Sequence, residues 1–381
     1  MSQIFGSNEL TEDVLNRDLC IGCGACTDLC PYMRNYKGKT TRLFPCDLPQ
    51  GRCFAHCPKA EVDLDELSRH WRGKAYTGAP LGEYRTILAA RAGSRLSKGR
   101  FQSGGTVSAL MAFALETGVI DAAVLTDREG LIPRPRLVTD TEGVMACAAS
   151  KFTAAPTLSA LNRGITEGYT RMGVAGTPCQ MTALAQMRRN PLEREDFTDP
   201  VALSVGLFCT WALDTRGLLQ FLPQCVDAEC VLGMDVPPPP RSVMVVDTGT
   251  EAVEIPLEQI RPLIPRTCFI CPDMTAEWSD LSVGNIESRP GWNTLIVRTD
   301  RGRDQVDEAV RQGYLETGPM AAEDLEALCR AAAAKKRRSF THADRQGLVN
   351  TAEEGKRAAV RVSNAVLQSI IGGEKEEPCH A

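Results

Sequence analysis

What the chain lacks narrows its possibilities first. No apolar run approaches the roughly 20 residues that cross a bilayer. The polar opening Met1-Ser2-Gln3-Ile4 has no signal-peptide character, so the sequence predicts a cytoplasmic protein with no membrane span. Neither G-x-G-x-x-G after a strand nor G-x-x-x-x-G-K-[ST] occurs, which removes the standard dinucleotide and P-loop sites. Four histidines, His56, His70, His342 and His380, are scattered, and no motif pairs them with a nucleophile or with each other; His56, beside Cys57, tunes or shields a metal site at most. The net charge of −5 is small, and gives no reason to expect nucleic acid as a partner.

Cysteine is abundant by contrast. There are sixteen in 381 residues, and in a cytoplasmic chain thiols are metal or redox ligands far more often than disulfides. Cys20, Cys23, Cys26 and Cys30-Pro31 have the spacing C-x2-C-x2-C-x3-C-P, in which a tight loop turns three thiolates onto one iron–sulfur cubane and the fourth reaches a second cluster. Gly22 and Gly24 let the backbone curl. An incomplete second run follows at Cys46, Cys53 and Cys57-Pro58. The ferredoxin convention assigns Cys20, Cys23, Cys26 and Cys57 to one [4Fe–4S] cluster and leaves Cys30, Cys46 and Cys53 for another. The second is then [3Fe–4S], or [4Fe–4S] completed by a ligand such as Asp47. Zinc is the competing occupant, but its sites pair two separated C-x2-C units.

The length suits two or three domains at about 150 residues each. Leu10-Thr11-Glu12-Asp13-Val14 reads as a helical turn capped by Thr11, and Ala60 to Leu67 as an acidic, exposed helix or turn. The breakers of Arg72 to Pro80 read as a linker, with a boundary near 75. Beyond it the pattern alternates: strand at 85–90, helix at 106–117, strands at 122–126, 172–176 and 201–209, and a helix at 181–189. The expected fold is therefore an α/β core (76–320) with an N-terminal ferredoxin-like iron–sulfur region (1–75) and a C-terminal helical segment (321–381). In that last segment a helix from Glu323 ends at the basic tetrad Lys335-Lys336-Arg337-Arg338, and a second helix covers 352–371, before a mobile tail at 372–378. The prolines from Val236 to Arg241 form a stiff connector.

In the core, Ser103-Gly104-Gly105-Thr106 opens a helix. Such a loop either offers N–H groups and the helix dipole to a phosphate, or is simply an N-terminus with two turn glycines. Cys179 follows a strand directly, Cys209 ends one, and Cys268 and Cys271 form a C-x2-C pair. These amount to four thiols, enough for a third cluster if they meet; zinc or unrelated buried cysteines are the alternatives. Cys147, Cys225, Cys230, Cys329 and Cys379 read as non-ligands.

These segments, with Gly176-Thr177-Pro178-Cys179-Gln180, Gly206-Leu207-Phe208-Cys209, Asp280-Leu281-Ser282-Val283-Gly284-Asn285 and Gly291-Trp292-Asn293-Thr294, resemble in order the family of coenzyme F-420-reducing hydrogenase and dehydrogenase β-subunits. The resemblance covers about residues 80 to 315. It implies FAD in the core, with Ser103, Gly104, Gly105, Thr106, Lys151, Phe152, Thr177, Gln180 and Asn285 as its contacts, and a [4Fe–4S] cluster on Cys179, Cys209, Cys268 and Cys271. Asn285 departs from the Asp of many members. Lys151 has a plain alternative as a surface lysine, and Arg289 and Arg298 serve either a phosphate or ion pairs.

Clusters move single electrons, organic carriers exchange hydride, and a flavin does both. The function so implied is an oxidoreductase subunit converting two-electron to one-electron transfer through FAD and two or three iron–sulfur clusters, with coenzyme F-420 or a similar soluble carrier. The alternative is a relay protein without a diffusible substrate. The expected partners are hydrogenase, dehydrogenase or heterodisulfide-reductase-like subunits, or a ferredoxin.

Overall fold

A computed structural model describes residues 3–96, 101–238 and 240–373. Pro239, the tail from Glu374, Cys379 and His380 lie outside the described residues. The centre is an eight-stranded mixed sheet built from β1 (Thr86–Ala92), β2 (Ala122–Glu129), β3 (Ile132–Val138), β4 (Met172–Gly176), β5 (Val201–Leu207), β6 (Leu281–Asn285), β7 (Asn293–Val297) and β8 (Leu315–Pro319). Their order is β8-β1-β7-β6-β5-β4-β2-β3. Strands β2, β4, β5 and β6 are parallel neighbours. Because β7 pairs antiparallel with both β6 and β1, β1 runs in the same direction as those four. Five carboxyl ends therefore open on one edge of the sheet, where α/β proteins assemble their sites.

Both faces of the sheet are covered, so its central strands are apolar throughout. Every residue of β4 is buried, as expected of a strand between two helical layers. Alternate residues serve opposite cores: Ala123, Leu125 and Ala175 pack with α1 (Thr106–Glu116), whereas Ala122, Val124 and Val174 pack with α2 (Thr157–Thr166) and α3 (Pro178–Arg188). The second core continues from Leu10 in the N-terminal region through Leu158 and Leu184 to Phe340 and Leu367, crossing both expected borders at 75 and 320. A small parallel sheet also joins the chain's two ends. Val62–Asp63 pairs with Val360–Arg361, which pairs with Val349–Asn350.

Several local expectations need correction. Thr11 is no cap: the first helix spans Ser7–Leu10 behind Gly6, and the Thr11 hydroxyl donates back to the Ser7 carbonyl inside the continuing turn. The segment at 60–67 is not an exposed face, because Glu61, Val62, Leu64 and Leu67 are buried; its helix begins at Leu64, with the Asp63 carboxylate accepting from the Glu66 N–H. Arg72, at the end of that helix, is no part of a loose linker, since its guanidinium donates to the carbonyls of Arg298, Glu277 and Ser279. The helix at 181–189 starts earlier, at Pro178, on a capping box between Thr177 and Gln180. The long helix α4 (Ala322–Arg345) runs straight through the basic tetrad. Nor does 352–371 form one helix: Ala352 has φ +132°, Val360–Arg361 is a strand, and only Asn364–Gly372 is helical.

Candidate functional site

The N-terminal thiol loop is held against the core from outside. Gly22 and Gly24 have φ of +70° and +88°, and a Cβ on them would stand 2.1 Å from the Gly38 carbonyl oxygen and 2.4 Å from that of Pro156. No side chain fits there. Asn162, on α2 and 3 % exposed, donates its amide to the carbonyls of Gly24, Ala25 and Thr27, and the Leu158 N–H donates to the Cys23 carbonyl. Sequence reasoning missed Asn162, whose only signal was an amide among Leu158, Ala160 and Leu161 on an otherwise apolar helix. Backbone N–H groups of Gly22 and Tyr32 approach the sulfurs of Cys20 and Cys30 at 3.4 Å each.

The thiols fall into three groups by which of them feel one another. Burial raises the Cys23 thiol well above the ordinary range, and Cys26, Cys179 and Cys20 add to the rise. Cys26 is raised by burial and then by Cys20, Cys57 and Cys53. Burial and then Cys23 and Cys20 raise Cys57. Burial pushes Cys53 up to about 11, with Cys30 and Cys46 contributing. In the core, Cys179 goes up to about 11 through burial and its neighbours Cys271 and Cys268, while Cys209 is raised by burial and then by Cys268, Cys179 and Cys271. Cys53 acts on Cys26 and Cys179 acts on Cys23, so each outer group lies within electrostatic reach of the N-terminal loop. Among the described residues no three His, Cys, Asp or Glu side chains form a group spaced for a single metal ion. Converging, buried and mutually repelling thiols fit a polynuclear iron–sulfur group, whose cationic iron would hold them as thiolates.

Two buried lysines border the core thiols. Lys335 on α4 donates to the carbonyls of Cys209 at 2.6 Å and Asp273 at 2.8 Å. Although burial works against its charge, the nearby Cys271, Cys209 and Asp273 outweigh that and raise it. Lys59, also buried, acts on the thiols of Cys57, Cys179 and Cys268, from both the N-terminal and the core groups. The basic tetrad is thus neither a helix end nor a surface patch in its first half. Lys336 is buried too, in a pair with Glu277 at 2.6 Å and in a hydrogen bond to the Tyr76 hydroxyl at 2.9 Å. His56 is buried, and burial followed by the charges of Arg52 and Arg194 lowers it to about 3.

The candidate cofactor residues lie along one rim at the carboxyl edge, tied by hydrogen bonds. Gln180 donates to the Ala155 carbonyl and to the Thr157 hydroxyl. The Ser150 N–H donates to Gln102 Oε1 at 2.7 Å. Asn293 donates to the Ser103 hydroxyl and to Asn285 Oδ1, and accepts from the Thr106 N–H. Thr177 Oγ1 lies 3.2 Å from Cys179 Sγ, which brings the rim to the core thiols. The glycines work differently from the expectation. A Cβ at Gly104 would meet Asn293 Oδ1 at 2.5 Å and one at Gly105, φ +74°, would meet the Phe101 ring at 2.6 Å, so both admit neighbours of the chain itself.

What fits an anionic group here is the Thr106 hydroxyl, buried and, among the described residues, without a hydrogen-bond partner in the first turn of the eleven-residue α1. Lys151 is no free surface lysine, since its ammonium donates to the carbonyls of Cys147, Ala148 and Ala149. Phe152 faces Trp211, with ring centres 6.5 Å apart. Arg298 is buried, donating to Ser282, Leu81, Glu83 and Thr275, and serves no phosphate. Arg289 stacks 3.6 Å over Trp292.

A parallel-stranded core with cysteines at its carboxyl edge and a cluster loop docked on its flank defines an iron–sulfur redox protein. The chain belongs to the family of coenzyme F-420 hydrogenase/dehydrogenase β-subunits: residues 169–323 match the family's C-terminal part and 87–162 its N-terminal part, while 13–33 match a 4Fe–4S binding domain. It is 30% identical over 245 residues to the β-subunit of coenzyme F-420 hydrogenase in Methanothermobacter thermautotrophicus, covering 63% of this chain and 86% of that one. To one of the subunits of the F(420)H(2) dehydrogenase of Methanosarcina mazei it is 27% identical over 303 residues, 77% of this chain and 83% of that one. A chain of the xenon-derivatised F-420-reducing [NiFe] hydrogenase complex from Methanosarcina barkeri superposes with a TM-score of 0.65 at 26% identity, over 70% of this chain and 94% of that one. Among the described residues no helix is long and apolar enough to cross a membrane.

Proposed function

We propose that this chain takes electron pairs from a soluble hydride carrier, coenzyme F-420 or one like it, at an FAD on the carboxyl rim, and passes them singly along three iron–sulfur clusters. The observation that carries this reading is that the thiol groups lie near enough to act on one another's charge, Cys179 on Cys23 and Cys53 on Cys26. In this reading residues 76–320 hold the FAD and a [4Fe–4S] cluster on Cys179, Cys209, Cys268 and Cys271. Residues 1–75 hold a cluster on Cys20, Cys23, Cys26 and Cys57 and a further one on Cys30, Cys46 and Cys53. Residues 321–373 pack against both, with Lys335 placing a fixed positive charge beside the core cluster.

The FAD, when bound, supplies the exchange between hydride and single electrons. Ser103, Thr106 and the N-terminus of α1 would hold its phosphates. Thr177, Gln180 and Asn285 line the same rim, and Lys151 and Phe152 close its far side.

The test is to purify the chain without oxygen, measure FAD and iron, and offer reduced F-420, NADH and NADPH in turn. One of the three should bleach the flavin and then bring up cluster signals in electron paramagnetic resonance. Bleaching by none of them, with clusters present, would leave a relay between protein partners instead.

A further inference from the structure

Resting on the relay just proposed, we infer that the surface around Cys30, Cys46 and Cys53 is the docking face for a small acidic one-electron carrier protein. Nine large apolar side chains are exposed among the described residues, and five of them stand on this one stretch. They are Tyr32 (36 % exposed), Tyr36 (64 %), Leu43 (50 %), Phe44 (59 %) and Leu48 (65 %). They follow from the fold. The hairpin Met33–Tyr36/Lys39–Arg42 turns one face to the core, where Met33 is buried, and carries Tyr32 and Phe44 at its base with ring centres 5.8 Å apart. The Leu43 N–H donates to the Tyr32 carbonyl, and the Tyr32 N–H reaches the Cys30 sulfur, so the part of this surface made by Tyr32, Leu43 and Phe44 lies beside Cys30. Apolar surface gathered this way marks an interaction site.

The occupant follows from charge. Arg34 and Arg52 are exposed at the rim; Arg34 donates to the carbonyls of Cys30 and Met33, and neither makes an ion pair among the described residues. Lys37 lies over the Tyr36 ring. Asp28 is engaged by Arg163, leaving Asp47, among the described residues, as the unpaired carboxylate of the loop. On a chain of net charge −5 this face carries Arg34, Lys37 and Arg52 against Asp47, Glu167 and Asp196, the last paired with Arg194, and an acidic partner would meet those cations around an apolar centre. The thiols beneath it, Cys30, Cys46 and Cys53, act on one another, and Cys53 acts on Cys26 of the neighbouring group. A partner seated here therefore exchanges one electron with the cluster on these thiols, that cluster being oxidised as the carrier is reduced, or the reverse.

The experiment uses the full chain with its clusters, reduced chemically, and follows electron transfer to a small acidic [2Fe–2S] ferredoxin and, separately, to methyl viologen. Phe44→Ser and Arg34→Glu should each slow ferredoxin reduction by more than about tenfold, with viologen reduction and iron content unchanged. The wild-type ferredoxin rate should fall as salt rises. Should either variant lose iron, Tyr36→Ser and Lys37→Glu, farther from the thiols, take its place in the same assay. Ferredoxin rates unchanged in all variants overturn the proposal. So does a chain that is dimeric until Phe44 is replaced, with its ferredoxin rate unaffected, since the face then binds a second copy. Reduction of viologen but never of ferredoxin refutes the docking face alone, whereas a chain that reduces neither refutes the relay on which it rests.

Discussion

Asp280 shows how much of this chain's polar chemistry is structural. Its carboxylate accepts from the Ser204 N–H and hydroxyl at 2.9 and 2.6 Å, from the Thr299 hydroxyl at 2.8 Å and from Arg301 at 2.9 Å. Burial alone would raise its pKa, but the charges of Arg301 and Arg188 and the bonds from Ser204 and Arg301 outweigh it, and the group stays below the ordinary carboxylate range. A depressed carboxylate adds stability that is complete above its unfolded value, near pH 4, and is lost as pH falls through the lower folded one. Asp280→Asn should therefore cost about 3 kcal/mol at neutral pH, at the low end for a broken buried pair because Arg301 is partly exposed. The loss should shrink below about pH 4. Urea titrations of both proteins across that range check this, and a deficit that stays constant into acid would show that the charge is not the source. The lysines Lys335 and Lys336 carry the same lesson. In sequence they resemble a cationic helix end, because their acceptors, Cys209, Asp273 and Glu277, come from distant parts of the chain and no local pattern announces them.

At the scale of elements, the strands β1, β2, β4 and β5 were legible as apolar runs between breakers, and each begins within a residue of its expected start. The short parallel strands at 62–63, 349–350 and 360–361 were not, because two residues have no periodicity and exist only by pairing across the fold. The site was readable where spacing is local, as at Cys20 to Cys30. At the core thiols the residues alone gave four cysteines and no spacing to say that they meet, because they stand at strand ends and loops from separate crossovers. One such meeting hinges on β6. A Cβ on Gly284 would fall 1.9 Å from the Phe208 ring, one residue before Cys209. Gly284→Ala must push Phe208 aside and should cost about 1–3 kcal/mol. It should also reduce the iron bound by the core thiols while leaving the N-terminal groups loaded. Unchanged iron with normal stability would mean that Phe208 moves without dragging Cys209.

For the whole molecule, the proposed relay makes the thiol group of Cys20, Cys23, Cys26 and Cys57 its middle step. Cys26→Ser should interrupt transfer from flavin to an external one-electron acceptor, though the flavin remains reducible by its hydride donor and the core cluster remains detectable by electron paramagnetic resonance. Cys46→Ser should spare both of those clusters and remove only the outermost step. Equal rates in the Cys26 variant and the parent would show that electrons leave from the core directly.

The little sheet that joins the chain's ends also sets a timetable for biosynthesis. Val62 finds its partner only when Val360 has been made, and buried Glu61 waits for the Ala358 N–H and the Arg361 guanidinium. At about 5–20 residues per second, roughly 15–60 s pass between the two ends leaving the ribosome. During that interval the segment that follows Cys57 has no partner strand, and the carboxylate of Glu61 lacks both of its donors.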